Sequence, residues 1–151
     1  MARHSAGILL FRVSHKPEVF LVHPGGPFFT RKDLGVWSIP KGEFDFSEQA
    51  IDAAKREFEE ETGQPITGKL IPLKPITQKG GKVVHAWAVE GDIDADAIVS
   101  NTFEMMWPPN SGKMKEFPEN DKGGWFSMDE AREKINVKQI ELLDELLMLL
   151  S

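Results

Sequence analysis

The segment that most constrains this chain is 56–61, in which four glutamates occupy five consecutive positions shortly before Gly63. If the segment is helical, Glu57, Glu60 and Glu61 stand at positions i, i+3 and i+4 and share one face. Like charges at this spacing repel, and each pair weakens an isolated helix by about 0.2–0.5 kcal/mol. A hard divalent cation would offset the repulsion, because Mg²⁺ binds carboxylates together with water and substrate phosphates. The segment therefore predicts a helix with an acidic, metal-binding face.

The flanking residues predict where this helix begins and ends. Asp45, with Glu48 three residues later, has the spacing of a capping box, and Ser47 is the alternative N-cap. Gly63 supplies a C-terminal stop, and Pro65 lies just beyond it. Apolar residues recur at helical spacing and would face a core while the glutamates face a cleft: Ile51, Ala54 and Phe58.

The fixed residues of this region resemble the Nudix signature, G-x5-E-x7-R-E-U-x-E-E-x-G-U, where U is a bulky aliphatic residue. Two packing positions depart from the pattern, because Phe58 is aromatic and Gln64 stands at the last U position. The positions in register are Gly42, Glu48, Arg56, Glu57, Phe58, Glu60, Glu61 and Gly63. The resemblance implies one domain over residues 1–151 with an α/β (α+β) fold. That fold is the Nudix α/β/α sandwich, which has a mixed sheet and carries the signature as a loop-helix-loop.

The resemblance also implies hydrolysis of a pyrophosphate bond in a nucleoside diphosphate linked to another group, with Mg²⁺ or Mn²⁺ as cofactor. The metal ligands that it implies are Glu57, Glu60, Glu61 and the carbonyl of Gly42. One of these glutamates, or Glu116 or Glu119 on a downstream loop, would take the proton of the attacking water. Arg56 would act beside them by pairing with Glu48 or a signature glutamate and fixing its rotamer.

The segment 37–42, Trp-Ser-Ile-Pro-Lys-Gly, resembles the Nudix branch that hydrolyses diadenosine polyphosphates and diphosphoinositol polyphosphates. By that resemblance Lys41 contacts a substrate phosphate; the alternative is a solvated loop lysine. Trp87 would stack on a base from the cleft face of its strand, or it is a partly buried strand tryptophan. Further candidate substrate contacts lie in an exposed loop: Arg31 and Lys32.

The substrate stays open at this point. A dinucleoside polyphosphate is favoured by the segment 37–42, but the chain has no tyrosine, a residue that diadenosine tetraphosphate hydrolases often carry downstream of the signature. A nucleoside triphosphate pyrophosphatase that removes damaged nucleotides is the alternative enzyme, and a diphosphoinositol polyphosphate would favour a more basic cleft. A non-catalytic module that senses nucleotides is the alternative of another class, although every charged signature position is intact.

The rest of the chain predicts further strands and two helices. Strands are predicted over 6–13, 18–23, 28–30, 69–78, 83–90, 102–107 and 122–127. The stretch 108–119 is predicted to be an irregular loop that gates the site through Lys113 and Lys115, or a plain connector. A short helix follows Ser127 as N-cap. A C-terminal helix over 137–150 would bury Ile140, Leu143, Leu147 and Leu150.

Composition limits the functions that this chain can have. Its 151 residues carry a net charge of −6, so we expect no binding to nucleic acid polymers through a basic surface. There is no cysteine, which excludes disulfides and thiolate metal sites. No apolar run suits a signal peptide or a membrane span, so we expect a cytoplasmic protein with a small polyphosphate substrate. A monomer and a homodimer both stay open.

Overall fold

A mixed seven-stranded sheet forms the centre of the fold in a computed structural model that describes residues 3–151. The strands are β1 His4–Val13, β2 Pro17–Pro24, β3 Lys41–Glu43, β4 Ile71–Pro72, β5 Ile76–Thr77, β6 Val83–Glu90, β7 Thr102–Met106, β8 Met114–Pro118 and β9 Asn120–Ser127. The helices are α1 Ala50–Thr62, α2 Met128–Lys134 and α3 Ile140–Leu150. None of the helices in residues 3–151 has the length and apolar character to span a bilayer.

The sheet is organised around β1, which lies at its centre. Its long path runs β4-β6-β1-β2-β9, with β3 added beside β1 and β5 beside β6. The pairing of β1 with β6 is parallel, and the other pairings in the sheet are antiparallel. The remaining strands, β7 and β8, form a separate antiparallel hairpin. The sheet is therefore mixed, as the resemblance implied.

Helices cover both faces of the sheet, so the strands that form its centre are buried on both sides. Side chains alternate along β1 and β2, so each strand supplies two apolar rows. One row, which includes Ile8, Leu10, Phe20 and Val22, packs against Phe58 of α1. The other row, which includes Leu9, Phe11 and Leu21, packs against Ala131 of α2 and Leu143 of α3. The α/β/α sandwich is thereby confirmed.

The end of α1 is confirmed and its beginning is not. The amide of Gly63 donates to the Glu59 carbonyl at 2.7 Å, and Gly63 adopts a left-handed φ of 75°. The N-cap, however, is Gln49, without a side-chain hydrogen bond. The predicted caps are wrong because Asp45 accepts from the Ser47 amide at 2.9 Å, in a local turn outside the helix.

The later strands differ from their predictions in three places. Residues 28–30 form a turn and not a strand. The predicted strand 69–78 is split into β4 and β5, and prolines that cannot donate to a ladder flank the gap at 73–75. The predicted loop 108–119 contains β8, so most of it belongs to a hairpin with β7.

The face that the C-terminal helix buries is only partly the predicted one, because Leu143 is buried and Ile140 packs against the core as expected, but Leu147 and Leu150 do not. Its buried leucines are Leu142, Leu143 and Leu146, whereas Leu147 and Leu150 are 38% and 39% exposed. The segment begins with a 3₁₀ turn, Val137–Gln139.

The capping box of α2 is confirmed and gives a stability prediction. The Ser127 hydroxyl accepts from the Glu130 amide at 3.2 Å, and the Glu130 carboxylate faces the Ser127 amide. We expect Ser127→Ala to lower the free energy of unfolding by about 1 kcal/mol in urea titrations, because it leaves a helix donor unpaired. Ser14→Ala, in the exposed turn after β1, should change it by less than about 0.5 kcal/mol. Equal effects of the two substitutions would contradict the prediction.

Candidate active site

A cleft of about 310 Å³ opens between α1, β3 and the base of the β7–β8 hairpin. It brings together these residues predicted from the sequence: Lys41, Gly42, Glu57, Glu60, Glu61 and Glu119. Four further residues line it that the sequence did not single out: Ser5, Glu43, Lys82 and Asn101. The signature glutamates therefore share one cleft with two lysines.

Gly42 allows the helix carboxylates to approach β3. A Cβ added at Gly42 would lie 1.9 Å from Oε2 of Glu57 and 2.2 Å from its Cδ. Such distances are far below van der Waals contact, so a side chain at this position would require the Glu57 carboxylate to move. Glu57 lies directly against the backbone of β3 for this reason, and the signature glycine has a steric role.

Arg56 holds three carboxylates at the mouth of the cleft. Its guanidinium donates to Glu48 at 2.6 Å, to Glu57 at 2.8 Å and to Glu60 at 3.2 Å. The pairing with Glu48, which the sequence suggested, is present. Hydrogen bonding to Glu48 is the largest cause that raises the pKa of Arg56, so the group stays charged. Arg56 thus neutralises part of the repulsion that the glutamate spacing creates.

Glu61 is the most confined of the carboxylates. Its Oε1 accepts from Nδ2 of Asn120 at 2.9 Å and from the Lys41 amide at 3.3 Å. Burial raises the pKa of Glu61 to about 7, against the lowering effect of these two hydrogen bonds. Burial also raises the pKa of Glu57, and Arg56 opposes that shift. A cation beside these groups would favour their charged forms.

The oxygen ligands of the cleft suit a hard divalent cation, although the carboxylates of Glu57, Glu60 and Glu61 do not point toward one common position. Within residues 3–151 no group of three or more carboxylate or imidazole side chains is arranged as a metal site. The reason is local, since Arg56 holds Glu57 and Glu60 and Asn120 holds Glu61. All the candidate ligands present oxygen, which is what Mg²⁺ prefers.

Several predicted substrate contacts lie outside the cleft. Trp87 is half-buried on the sheet face that packs against α1, which agrees with the alternative of a strand tryptophan. Arg31 and Lys32 lie in an exposed turn, where the Lys32 carbonyl accepts from His23 at 2.6 Å. Glu116 stands opposite Glu104 in the hairpin and does not line the cleft, so Glu119 is the downstream glutamate brought to the site.

Two asparagines at the base of the hairpin were missed, and they fix the site to α1. The Asn101 amide donates to the Glu60 carbonyl at 2.8 Å, and its own carbonyl accepts from the Glu119 amide at 2.8 Å. Asn120 is buried and binds Glu61. Neither residue belongs to a recognisable spacing. A prediction of the β7–β8 hairpin would have identified both asparagines, because they flank it.

The sequence matches the NUDIX domain family over residues 1–146. This chain belongs to the NUDIX family. As a Nudix hydrolase it is a pyrophosphohydrolase, and four of its signature residues line the cleft described above: Gly42, Glu57, Glu60 and Glu61. A comparison with curated proteins finds no match for this Nudix protein.

Solved structures with the same fold include an Ap4A hydrolase from C. elegans. Its binary complex is 22% identical, with a TM-score of 0.68 and 97% coverage of both chains. The NUDIX domain of Shewanella oneidensis NrtR, complexed with ADP ribose, is 15% identical, with a TM-score of 0.69 and coverage of 100% of this chain and 90% of that chain. A mutT/nudix family protein from Listeria innocua is 19% identical, with a TM-score of 0.64 and coverage of 98% and 93%.

The contact between Gly42 and Glu57 gives a prediction for metal binding. We expect Gly42→Ala to displace the Glu57 carboxylate and to weaken Mg²⁺ binding about 10-fold or more, measured by titration calorimetry. Gly91→Ala is the matched control, because an added Cβ there meets no atom nearer than 3.4 Å. Wild-type Mg²⁺ affinity in Gly42→Ala would contradict the steric role.

The raised pKa of Glu61 gives a prediction for the metal-free Nudix protein. The folded state holds the Glu61 proton more tightly than the unfolded state, so this stabilisation is complete at low pH and is lost as pH rises through about 7. We expect the melting temperature to fall between about pH 5 and pH 8 by more in the wild type than in Glu61→Gln. At 1.36 kcal/mol per pKa unit the effect is on the order of 3 kcal/mol.

The control for this measurement is Glu59→Gln, since Glu59 is exposed on the same helix and does not line the cleft. Its melting temperature should follow the wild-type dependence on pH. Parallel curves for the wild type and Glu61→Gln would show that the proton of Glu61 makes no contribution. Saturating Mg²⁺ should reduce the difference, because a bound cation favours the ionised carboxylate.

Proposed function

We propose that this Nudix hydrolase cleaves a pyrophosphate bond of a dinucleoside polyphosphate in a Mg²⁺-dependent reaction. The observation that supports this most directly is the shared cleft, in which three signature glutamates lie beside Lys41 and Lys82. A polyphosphate needs both kinds of group. Carboxylates hold the cation that its oxygens require, and ammonium groups neutralise the phosphates that the cation does not reach.

The roles of the cleft residues follow from their positions. Glu57, Glu60, Glu61 and the Gly42 carbonyl would hold the cation, which when bound neutralises phosphate oxygens and lowers the pKa of water. Glu119, exposed at the rim of the cleft, can accept the proton of the attacking water, and Glu61 is the other candidate. Arg56 orients Glu57 and Glu60 without needing to touch the substrate.

Two further observations support a dinucleoside polyphosphate in particular. The segment 37–42 carries the Trp-x-x-Pro-Lys-Gly pattern, and the chain has the fold of an Ap4A hydrolase from C. elegans over nearly its whole length. Among residues 3–151 the cleft lining contains no aromatic side chain. The cleft described here therefore suits the phosphate chain, and the bases would bind outside it.

A nucleoside triphosphate pyrophosphatase is the second candidate. A cleft without an aromatic lining selects for phosphates and not for a base, so it suits a triphosphate as well. The mutT/nudix protein from Listeria innocua has the same fold. A non-catalytic nucleotide-sensing module is disfavoured, because every charged signature position is intact and Glu57, Glu60 and Glu61 line the cleft.

Product analysis by chromatography tests the proposal. The purified protein with Mg²⁺ would be given diadenosine tetra-, penta- and hexaphosphate, nucleoside triphosphates, oxidised dGTP, ADP-ribose and a diphosphoinositol polyphosphate. We expect cleavage of the dinucleoside polyphosphates, and a loss of about 10²-fold or more in turnover in Glu60→Gln and in Glu61→Gln. Glu59→Gln, one residue away on the exposed side of α1, should keep wild-type turnover.

Each outcome separates the candidates. Cleavage of triphosphates or oxidised dGTP without cleavage of any dinucleoside polyphosphate would replace the proposal with its alternative. Absence of cleavage of every compound, with Mg²⁺ and with Mn²⁺, would overturn it. Near wild-type turnover in Glu60→Gln and Glu61→Gln would remove the assigned roles of these glutamates even if the substrate were right.

A further inference from the structure

A β-bulge in β9 lies beside the signature cleft. Up to His23 the register of β2 with β9 is regular, and His23 is opposite Lys122. The next residue of β2, Pro24, is opposite Asn120, so Asp121 is one residue more than the antiparallel ladder needs. Bulges are frequent next to active sites, where they change the direction of a side chain. The contacts on either side of Asp121 show which side chain this bulge redirects.

The bulge turns the side chain of Asn120 toward α1. Lys122 lies on the face of the sheet that carries Trp37, with its Nζ 5.7 Å from the centre of the indole ring. Regular alternation would place Asn120, two residues away, on that same face. Instead, Nδ2 of Asn120 donates to Glu61 of α1 at 2.9 Å, on the opposite face. Without the extra residue, Asn120 would point away from the carboxylate that it binds.

The extra residue, Asp121, is held by His23. The His23 side chain is 1% exposed, and its Nδ1 lies 2.7 Å from Oδ1 of Asp121. Its Nε2 lies 2.6 Å from the Lys32 carbonyl oxygen, which can only accept, so Nε2 donates. The ring also packs edge-to-face with Trp37, at 5.2 Å between centroids. The imidazole is thus fixed on several sides and presents Nδ1 to the bulge.

The segment 119–121 joins this bulge to the rim of the cleft. The Gly25 amide, just after β2, donates to the Glu119 carbonyl at 2.8 Å. The Asn120 amide donates to the Ser100 hydroxyl at 3.1 Å. Three consecutive residues therefore contact the rim, α1 and the buried imidazole in turn. A change in the bulge would alter the direction of Asn120 without removing any residue of the cleft.

The orientation of Glu61 depends on Asn120. Oε1 of Glu61 accepts from Asn120 at 2.9 Å and from the Lys41 amide at 3.3 Å, so the bond from Asn120 is the shorter. A group that hydrogen-bonds a metal ligand orients it, and loss of such a group typically weakens metal binding 10–100-fold. The direction of the Asn120 side chain therefore affects how well Glu61 can hold a cation.

We propose that His23 and Asp121 are positioning residues of the metal site, because they hold the bulge that directs Asn120 to Glu61. Neither residue lines the cleft, so both act through Asn120. The proposal deepens the proposed function and rests on it for the role of Glu61 as a metal ligand. The direction of Asn120 does not depend on that role. It can therefore be tested in the metal-free protein.

Hydrogen exchange of the Asn120 side-chain amide, followed by NMR without metal, tests this direction. We expect exchange about 10-fold faster in Asp121→Ala, because the amide loses its buried contact with Glu61. His23→Phe, which removes both ring nitrogens, should accelerate exchange by a similar factor. Asp121→Asn should restore the wild-type rate, since its amide oxygen can accept from Nδ1 of His23.

Asp92→Ala is the matched control for these variants. Asp92 also accepts from a basic side chain of the sheet, Arg12 at 3.0 Å, but it lies outside the cleft lining. It should leave the exchange of the Asn120 amide unchanged. The backbone amides of β1 report opening of the whole fold. Equal acceleration there in Asp121→Ala would overturn the proposal, because Asp121 would then stabilise the fold in general.

Binding of Mg²⁺, measured by titration calorimetry, tests the consequence for the metal site. We expect Asp121→Ala to weaken Mg²⁺ binding about 10-fold, and Asp92→Ala to have no effect. In an Asn120→Ala background, Asp121→Ala should cause no further loss, because effects that pass through one shared partner are not additive. Additive losses would overturn the proposal, since Asp121 would then act by another route.

The two measurements separate this proposal from the proposed function. A wild-type rate of Asn120 exchange in Asp121→Ala would overturn the proposal, whatever the enzyme cleaves. Faster exchange with unchanged Mg²⁺ affinity would support the role of the bulge and reject Glu61 as a metal ligand. If Asp121→Ala does not unfold cooperatively in urea, Asp121→Ser, which keeps a short polar side chain beside the buried ring, carries the same expectations.

Discussion

Repulsion among carboxylates is the constraint on which the rest of the site depends. Glu48, Glu57 and Glu60 all accept hydrogen bonds from Arg56, whose planar guanidinium can serve several oxygens at once. Exposed ion pairs of this kind contribute little to stability singly. Glu57, however, is buried, and an unpaired buried carboxylate would be strongly unfavourable. Arg56 therefore offsets the repulsion among the three carboxylates and opposes the rise that burial causes in the pKa of Glu57.

The position of the carboxylates depends on close backbone approaches to the second half of α1. Near the start of the site, Gly42 leaves room for Glu57 against β3. At the C-terminal end, the carbonyl of Glu60 would have no partner within the helix, and the Asn101 amide satisfies it. The Asn101 carbonyl in turn accepts from the Glu119 amide, so two backbone hydrogen bonds connect α1 to the base of the hairpin. These bonds position the glutamate on the rim relative to the glutamates on α1.

The features that the sequence predicted are local, and those that it missed depend on pairing between distant segments. The glutamate face of α1, the stop at Gly63 and the cap at Ser127 are each set within a few residues. The start of α1 was wrong because Asp45 satisfies a nearby amide and does not cap the helix. The strand β8, Met114–Pro118, was missed because its residues do not alternate in polarity and become a strand only by pairing with β7. Lys82 and Ser5 reach the cleft through the parallel pairing of β1 with β6, which no short motif records.

The same dependence on sheet pairing explains how a chain of net charge −6 can present a site suited to a polyanion. Net charge describes the long-range field, whereas binding of a phosphate depends on groups within a few ångströms, since salt screens exposed charges beyond about 10 Å. The alternation of β3 turns Gly42 toward the carboxylates of α1 and places Lys41 and Glu43 on the opposite face of the strand. A three-residue strand thereby gives the cleft two sides, one formed by the carboxylates of α1 and one that carries Lys41 and Glu43. Because this separation follows from the pleat of the strand, a shift of the β3 register by one residue would exchange the two sides. The close contacts that fix this register, Gly7 with Lys41 and Gly42 with Glu57, are therefore as important to the site as the charged groups themselves.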